Sequence, residues 1–163
     1  LTRHVAVGDE IALRVRRNAA FHAPADARPL ILIGNGTGMA ALRALLKERI
    51  AAGRHRNWLL FGERQHAHDF HYREEIDRWQ MDGHIERVDF AWSRDQAERI
   101  YVQHRLRQAT EALREWVAAG AAIHVCGSLQ GMAPAVDAVL CEVLGDTAVE
   151  RLRETGGYRR DVY

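Results

Sequence analysis

Lysine is almost missing from this chain: Lys47 is the only one, so the rest of its 23 basic residues are arginines. The planar guanidinium fork suits phosphate recognition, although a biased base composition in the gene would leave the same trace. Cysteine is nearly as scarce. Cys126 and Cys141 are too few for a disulfide scaffold and lack metal-ligand spacing with nearby histidines, which points to a reducing compartment. No apolar run approaches the roughly 18 residues of a membrane span, and no signal-peptide pattern opens the chain. Excess charge of either sign is absent too. A formal net charge of +1 excludes the broad electrostatic footprint of a nucleic-acid or acidic-membrane binder, so any basic site has to be local. There is no internal repeat and no low-complexity segment.

What is present is a chain of 163 residues, 47% hydrophobic and 28% charged, enough to bury a core of its own. It starts at Leu1, inside what reads as a strand, as expected of a fragment of a longer protein. The domain itself is expected to be cytoplasmic, whatever membrane anchor a parent protein carries. Gly8 to Val15 alternates apolar Ile11, Leu13 and Val15 with polar or small residues, the period of a half-buried strand. Asn18 to Pro29 holds two of the three prolines in an irregular composition that fits a linker. A domain boundary is expected there, between residues 1–29 and 30–163.

From Leu30 onward, apolar runs alternate with helical periodicity. Strands are expected at Leu30–Ile33, Trp58–Phe61, Glu86–Ala91 and Ala122–Cys126. Helices are expected at Met39–Ala51, Tyr72–Met81, Val102–Ala118 and Met132–Leu144. A last helix, Thr147–Thr155, ends near Gly156-Gly157, and Tyr158–Tyr163 supplies an edge strand. Apolar strands joined by helices must be parallel and covered on both faces. The expected fold class is therefore α/β, with a doubly wound, mainly parallel five-stranded sheet of Rossmann-like type.

The first strand runs through Gly34-Asn35-Gly36-Thr37-Gly38 directly into a helix. Closely spaced glycines admit a ligand to the backbone, and the helix N-terminus offers unpaired N–H groups and partial positive charge, so a pyrophosphate fits there. A glycine-rich turn that holds nothing has the same spacing. Glu63 stands near the position where an acidic residue selects NAD by its ribose hydroxyls, but Arg64 beside it weakens that case. After the third strand, Ser93 to Gln103 gathers a hydroxyl, two arginines, a phenol and an amide, donors enough to surround a dianionic phosphate. A solvated charged loop opening an amphipathic helix accounts for the same residues. His66, His68, Asp69 and His71 read as such a loop and helix start rather than as a zinc site. The four tryptophans fall on apolar faces and read as core or interface.

Taken in order, six segments carry a family resemblance: Gly34 to Ala40, Phe61 to Arg64, Asp69 to Tyr72, Ser93-Arg94 through Gln103, Val125 to Gly127, and Tyr158 to Tyr163. The chain resembles the NADP-binding half of the ferredoxin–NADP reductase superfamily, and within it the diflavin reductase branch. The Asp-Val-Tyr ending looks most like that of the sulfite reductase flavoproteins. The resemblance implies that Gly36, Thr37 and Gly38 meet the pyrophosphate. It implies that Ser93, Arg94, Arg99, Tyr101 and Gln103 hold the 2′-phosphate and adenine, which selects NADP(H). Arg64, Gly127 and Met132 complete the implied cofactor-binding set. Cys126 matches the cysteine beside the nicotinamide and Asp161 the acidic residue near hydride transfer. Tyr163 matches the terminal aromatic that covers the flavin and must move aside for the nicotinamide.

The resemblance further implies an NADPH-dependent flavoprotein oxidoreductase. Its partners would be an FAD-binding unit of the same parent chain, with residues 1–29 as that unit's last strand and connector, and an FMN-bearing flavodoxin-like domain or another electron acceptor. Neither nucleic acid nor membrane contact is expected of this domain. Ala41 replaces a usual proline, Ser128 an aspartate after Cys-Gly, and Ala135 another aspartate, so affinity or nicotinamide placement should differ from that of relatives. A non-catalytic NADP(H)-sensing module and an NADH reductase using Glu63 are the rival readings.

Overall fold

The computed structural model describes residues 4–14 and 18–163. Five parallel strands form one sheet: β1 (Leu30–Asn35), β2 (Asn57–Glu63), β3 (Arg87–Trp92), β4 (Ala122–Gly127) and β5 (Tyr158–Val162), in the order β3-β2-β1-β4-β5. The helices are α1 (Met39–Ala51), α2 (His66–Asp69), α3 (Arg73–Met81), α4 (Val102–Gln108), α5 (Thr110–Ala118), α6 (Met132–Leu144) and α7 (Asp146–Glu154).

The four consecutive apolar residues of β1 explain the layering. Leu30, Ile31, Leu32 and Ile33 are all fully buried, because alternate side chains leave opposite faces of the sheet and both faces are covered. Ile31 and Ile33 pack with Trp58, Leu60 and Ile123 under α4, α5 and α6. Leu30 and Leu32 pack with Leu59 and Phe61 under α1 and α3. Chain order reverses between β1 and β4, so the connections leaving their C-terminal ends run to opposite faces of the sheet and leave a crevice there. No helix among the described residues is long and apolar enough to cross a membrane.

Three expectations need correction. The helix expected over Val102–Ala118 is two helices meeting at Ala109, whose φ −97° and ψ 26° leave the helical region. The Thr110 hydroxyl donates to the Arg107 carbonyl at 2.7 Å, a local bond that competes with the continuous ladder. The strand expected over Gly8–Val15 does not form within residues 8–14, and Val15 lies outside the described residues. Alternation needs a sheet edge to pair with, and none receives this stretch: Ile11 and Leu13 stay exposed. Finally, His66–Asp69 forms a short helix of its own ahead of α3.

The connector over residues 18–29 is gripped by the domain through its backbone. Arg159 Nη1 donates to the Ala20 carbonyl at 2.9 Å, His124 Nε2 to that of His22 at 2.8 Å, and Arg54 Nη1 to that of Pro24 at 2.8 Å. Buried Phe21 lies against the His124 ring, 5.2 Å between centroids.

Because a carbonyl can only accept, His124 carries its proton on Nε2 and leaves a buried, unpartnered Nδ1. Burial pulls the His124 pKa down to about 4. In the unfolded chain an ordinary histidine takes its proton near pH 6.5, so between there and pH 4 only the unfolded state is protonated and acid favours unfolding. This histidine should remove about 2 kcal/mol of stability between roughly pH 7 and pH 4.5. Urea unfolding of His124→Gln across that range should give a flatter profile than the wild type; parallel profiles would mean that the imidazole is charged in the folded state.

Candidate functional site

The crevice at the C-terminal ends of β1, β2 and β3 is a cleft of about 930 Å³. Its floor is the turn after β1. Gly36 takes φ +54°, a conformation that suits glycine, and a Cβ built there would meet only Glu63 Oε1, at 4.0 Å, so the space above this turn is open. Thr37 is exposed at the crest, and α1 begins at Met39 with its N-terminal N–H groups toward the cleft. Gly34 and Gly38 serve a different end. Cβ atoms on them would lie 2.4 and 2.2 Å from the Cys126 carbonyl oxygen, so the turn and α1 can sit on β4 only if both are glycine. Asn35 Oδ1 accepts the Ser128 N–H at 3.0 Å and ties the turn to the loop after β4.

The far wall comes from the exits of β2 and β3, which continue their pairing past the sheet. The Ser93 N–H donates to the Glu63 carbonyl at 2.9 Å and the Arg94 N–H to the Arg64 carbonyl at 2.8 Å. Arg64 and Arg94 are thereby brought side by side. The loop that follows is braced by its own polar residues: Asp95 Oδ2 accepts the His66 N–H at 2.9 Å, and the Gln96 side chain donates to the Glu98 carbonyl at 2.8 Å. Its two arginines are left over. Among the described residues eight other arginines form ion pairs, whereas Arg64, Arg94 and Arg99 form none and line the cleft. Ser93, Tyr101 and Gln103 line it with them. The Tyr101 ring is 40% exposed, and Gln103 Oε1 is buried with no hydrogen-bond partner. A buried acceptor without a donor is costly unless a ligand supplies one.

Of the residues expected at the site, Gly36, Thr37, Arg64, Ser93, Arg94, Arg99, Tyr101, Gln103 and Met132 border this cleft. Gly38, Gly127, Cys126, Asp161 and Tyr163 do not. Gly38 closes the turn with its back to β4, and the other four lie at the neighbouring β4–β5 end. Gly127 takes φ +137°, a conformation glycine tolerates, with Asn35 packed against it. Cys126 pairs in register with Asp161 and is 1% exposed, and burial pushes its thiol up to about 11, so it stays protonated. Tyr163 extends the ladder past β5, its N–H on the Gly127 carbonyl at 3.1 Å. Its phenol oxygen is 2.7 Å from Thr37 Oγ1, so the chain's last side chain reaches back to the crest of the turn.

Sequence reading assigned no part to Phe70, His71, Tyr72 and Gln130, which also border the cleft. A signal was there for three of them: Asp69 to Tyr72 is one of the segments that carry the family resemblance, and it lies in the connection after the carboxyl end of β2, the end at which an open α/β sheet binds its ligand.

Comparison with known proteins agrees with this geometry. Residues 32–138 match the family model of the oxidoreductase NAD-binding domain. The chain is 42% identical to the sulfite reductase (NADPH) flavoprotein alpha-component of Neisseria meningitidis serogroup C, over 91% of this chain and 27% of that protein. It is 40% identical to the protein of the same name from Mannheimia succiniciproducens, over 100% of this chain and 29% of that protein, and equally to that from Yersinia enterocolitica. The chain thus spans less than a third of the length of these relatives. With the strand order, the glycine turn and a match over most of its length, the chain belongs to the oxidoreductase NAD-binding domain family.

Proposed function

We propose that this domain binds NADP(H) and presents its nicotinamide for hydride transfer to a flavin held by another part of a parent flavoprotein, as in the sulfite reductase flavoproteins it resembles. The observation that carries this reading is the set of three arginines, Arg64, Arg94 and Arg99, that line one cleft without an ion pair, beside a Ser93 hydroxyl and opposite a glycine turn. Such donors suit the 2′-phosphate, which carries close to two negative charges at neutral pH. The exposed Tyr101 ring offers the adenine a stacking face. Gly36 and Thr37, with the start of α1, fit the pyrophosphate.

Bound NADPH would supply the hydride. The residues of this chain orient its carrier and keep competing chemistry away. Cys126, held as a neutral thiol by burial, brings a polarisable side chain and no charge to that end of the sheet. Asp161 stands beside it across the β4–β5 ladder. On this reading the exposed Tyr163 ring covers the flavin, and displacing it costs binding energy that the remote 2′-phosphate contacts can offset. The exposed apolar side chains of Ile11 and Leu13 support residues 1–29 as the last strand and connector of the FAD-binding unit. The electron acceptor beyond the flavin is, on this reading, FMN in a flavodoxin-like domain.

Calorimetric titration of the chain should give an affinity for NADP+ at least about tenfold above that for NAD+, the worth of one well-made charge-assisted contact. Equal affinities, or no binding of either, would overturn the reading.

A further inference from the structure

One group in the cleft has the wrong sign for an anion site. Glu63 closes β2, and its Oε1 lies 4.0 Å from the Cβ position of Gly36, on the floor where the diphosphate belongs. The carboxyl is half-buried, and its single hydrogen bond in this structure is from the neighbouring Arg64 N–H to Oε2 at 3.2 Å. It forms no ion pair with any described residue, although Arg64 is next to it in the chain. The charged and titratable groups that face it are Arg64 from its own strand end, Asp69 from α2 and His71 from the turn behind α2. Asp69 opposes the two cationic influences.

Resting on the reading above, we infer that Glu63 makes nucleotide binding proton-linked: its carboxyl is neutral when the diphosphate lies on the Gly36 turn, donating a hydrogen bond to a phosphate oxygen, and it ionises when the cleft empties. Two anions side by side in a half-closed cleft repel, and a solution proton taken up on binding turns that repulsion into a hydrogen bond. The balance is one proton gained by the carboxylate per nucleotide bound and one returned on release. In this structure burial already raises the Glu63 pKa from its ordinary value, with Asp69 adding to the rise against the Arg64 N–H bond and the charges of His71 and Arg64, which lower it. The residue would therefore favour nucleotide exchange at alkaline pH and retention at acidic pH.

The test uses NADP+ as probe, with calorimetric affinities of the wild-type chain and Glu63→Gln from about pH 5.5 to 8.5. The probe's own phosphate titrates near pH 6, but identically against both proteins, so only the difference between the two profiles is read. At pH 8.5 Glu63→Gln should bind on the order of tenfold more tightly than wild type, the gap closing toward pH 5.5. In wild type the binding enthalpy should also vary with the ionisation enthalpy of the buffer, by more proton uptake than in the variant. Parallel profiles, or weaker binding by Glu63→Gln at every pH, would overturn the inference and leave the NADP(H) reading intact. If wild type does not bind NADP+, the reading itself falls and the inference with it.

Discussion

Arg94→Ala should weaken NADP+ roughly 10- to 100-fold and NAD+ less than about threefold, as read by calorimetry on the same preparations. The asymmetry is the point. Arg94 lies at the β3 exit, held beside Arg64 by the backbone bond to its carbonyl, and has no carboxylate partner among the described residues. A guanidinium in that position gives up little on meeting a phosphate except its hydration. A hydrogen bond to a charged group contributes about 1.5–3 kcal/mol, which sets the fold-change. NAD+ lacks the 2′-phosphate and should lose only the long-range attraction of one exposed cation, which salt screens. Arg94→Lys separates charge from shape: a partial recovery is expected, because an ammonium restores the charge but not the fork. Equal weakening of both nucleotides would place Arg94 on the shared diphosphate.

Gly38→Ala is expected to be the most destabilising single methyl addition in the glycine turn. The reason is space, since Gly38 has φ −57° and ψ −24°, values any residue adopts. The new Cβ would lie 2.2 Å from the Cys126 carbonyl oxygen and 2.6 Å from its carbonyl carbon, both backbone atoms of the buried strand β4. Neither can move without lifting α1 from the sheet and opening the core around Leu42 and Leu46. Overpacking of that kind costs about 3 kcal/mol, or a fall in Tm of roughly 6–12 °C in a domain of this size. Gly36→Ala is the counterpart: its Cβ has room, the left-handed backbone costs about 1–2 kcal/mol, and the methyl enters the cleft, so nucleotide affinity should suffer more than stability. If Gly38→Ala unfolds in urea at the wild-type midpoint, α1 is not seated on β4 as closely as the coordinates place it.

These two residues show what a sequence can and cannot disclose. The alternation of buried strands and amphipathic helices is a local signal, and all five strands and the principal helices from Leu30 onward follow it to within two residues at most ends. The glycine turn after β1 and the donor-rich segment Ser93 to Gln103 were legible as residue patterns, and residues from both line one cleft. That Gly34 and Gly38 are glycines because of a carbonyl on β4 was not legible, since the contact joins residues about 90 positions apart. The break at Ala109 rests on one threonine hydroxyl choosing a nearby carbonyl over the helix, a competition settled by small energies. Residues 8–14 misled for the opposite reason: alternation predicts a strand, but a strand exists only where another offers its edge. Glu63 was visible as an acid at the end of β2; its burial beside the phosphate turn was not.

The side-chain grip on the connector acts on carbonyl oxygens, those of Ala20, His22, Pro24, Ala25 and Arg28. Every residue type presents the same carbonyl, so apart from Phe21, whose ring fills a place against His124, this stretch of chain is free to drift in composition while its path stays constant. The demand for constancy is transferred to the donors, Arg49, Arg54, His124 and Arg159, which lie well along the chain from the segment they hold. In a family of such domains, variability in the connector is then compatible with one fixed anchoring point for whatever precedes it, and a change at one of those four positions is what would set it loose.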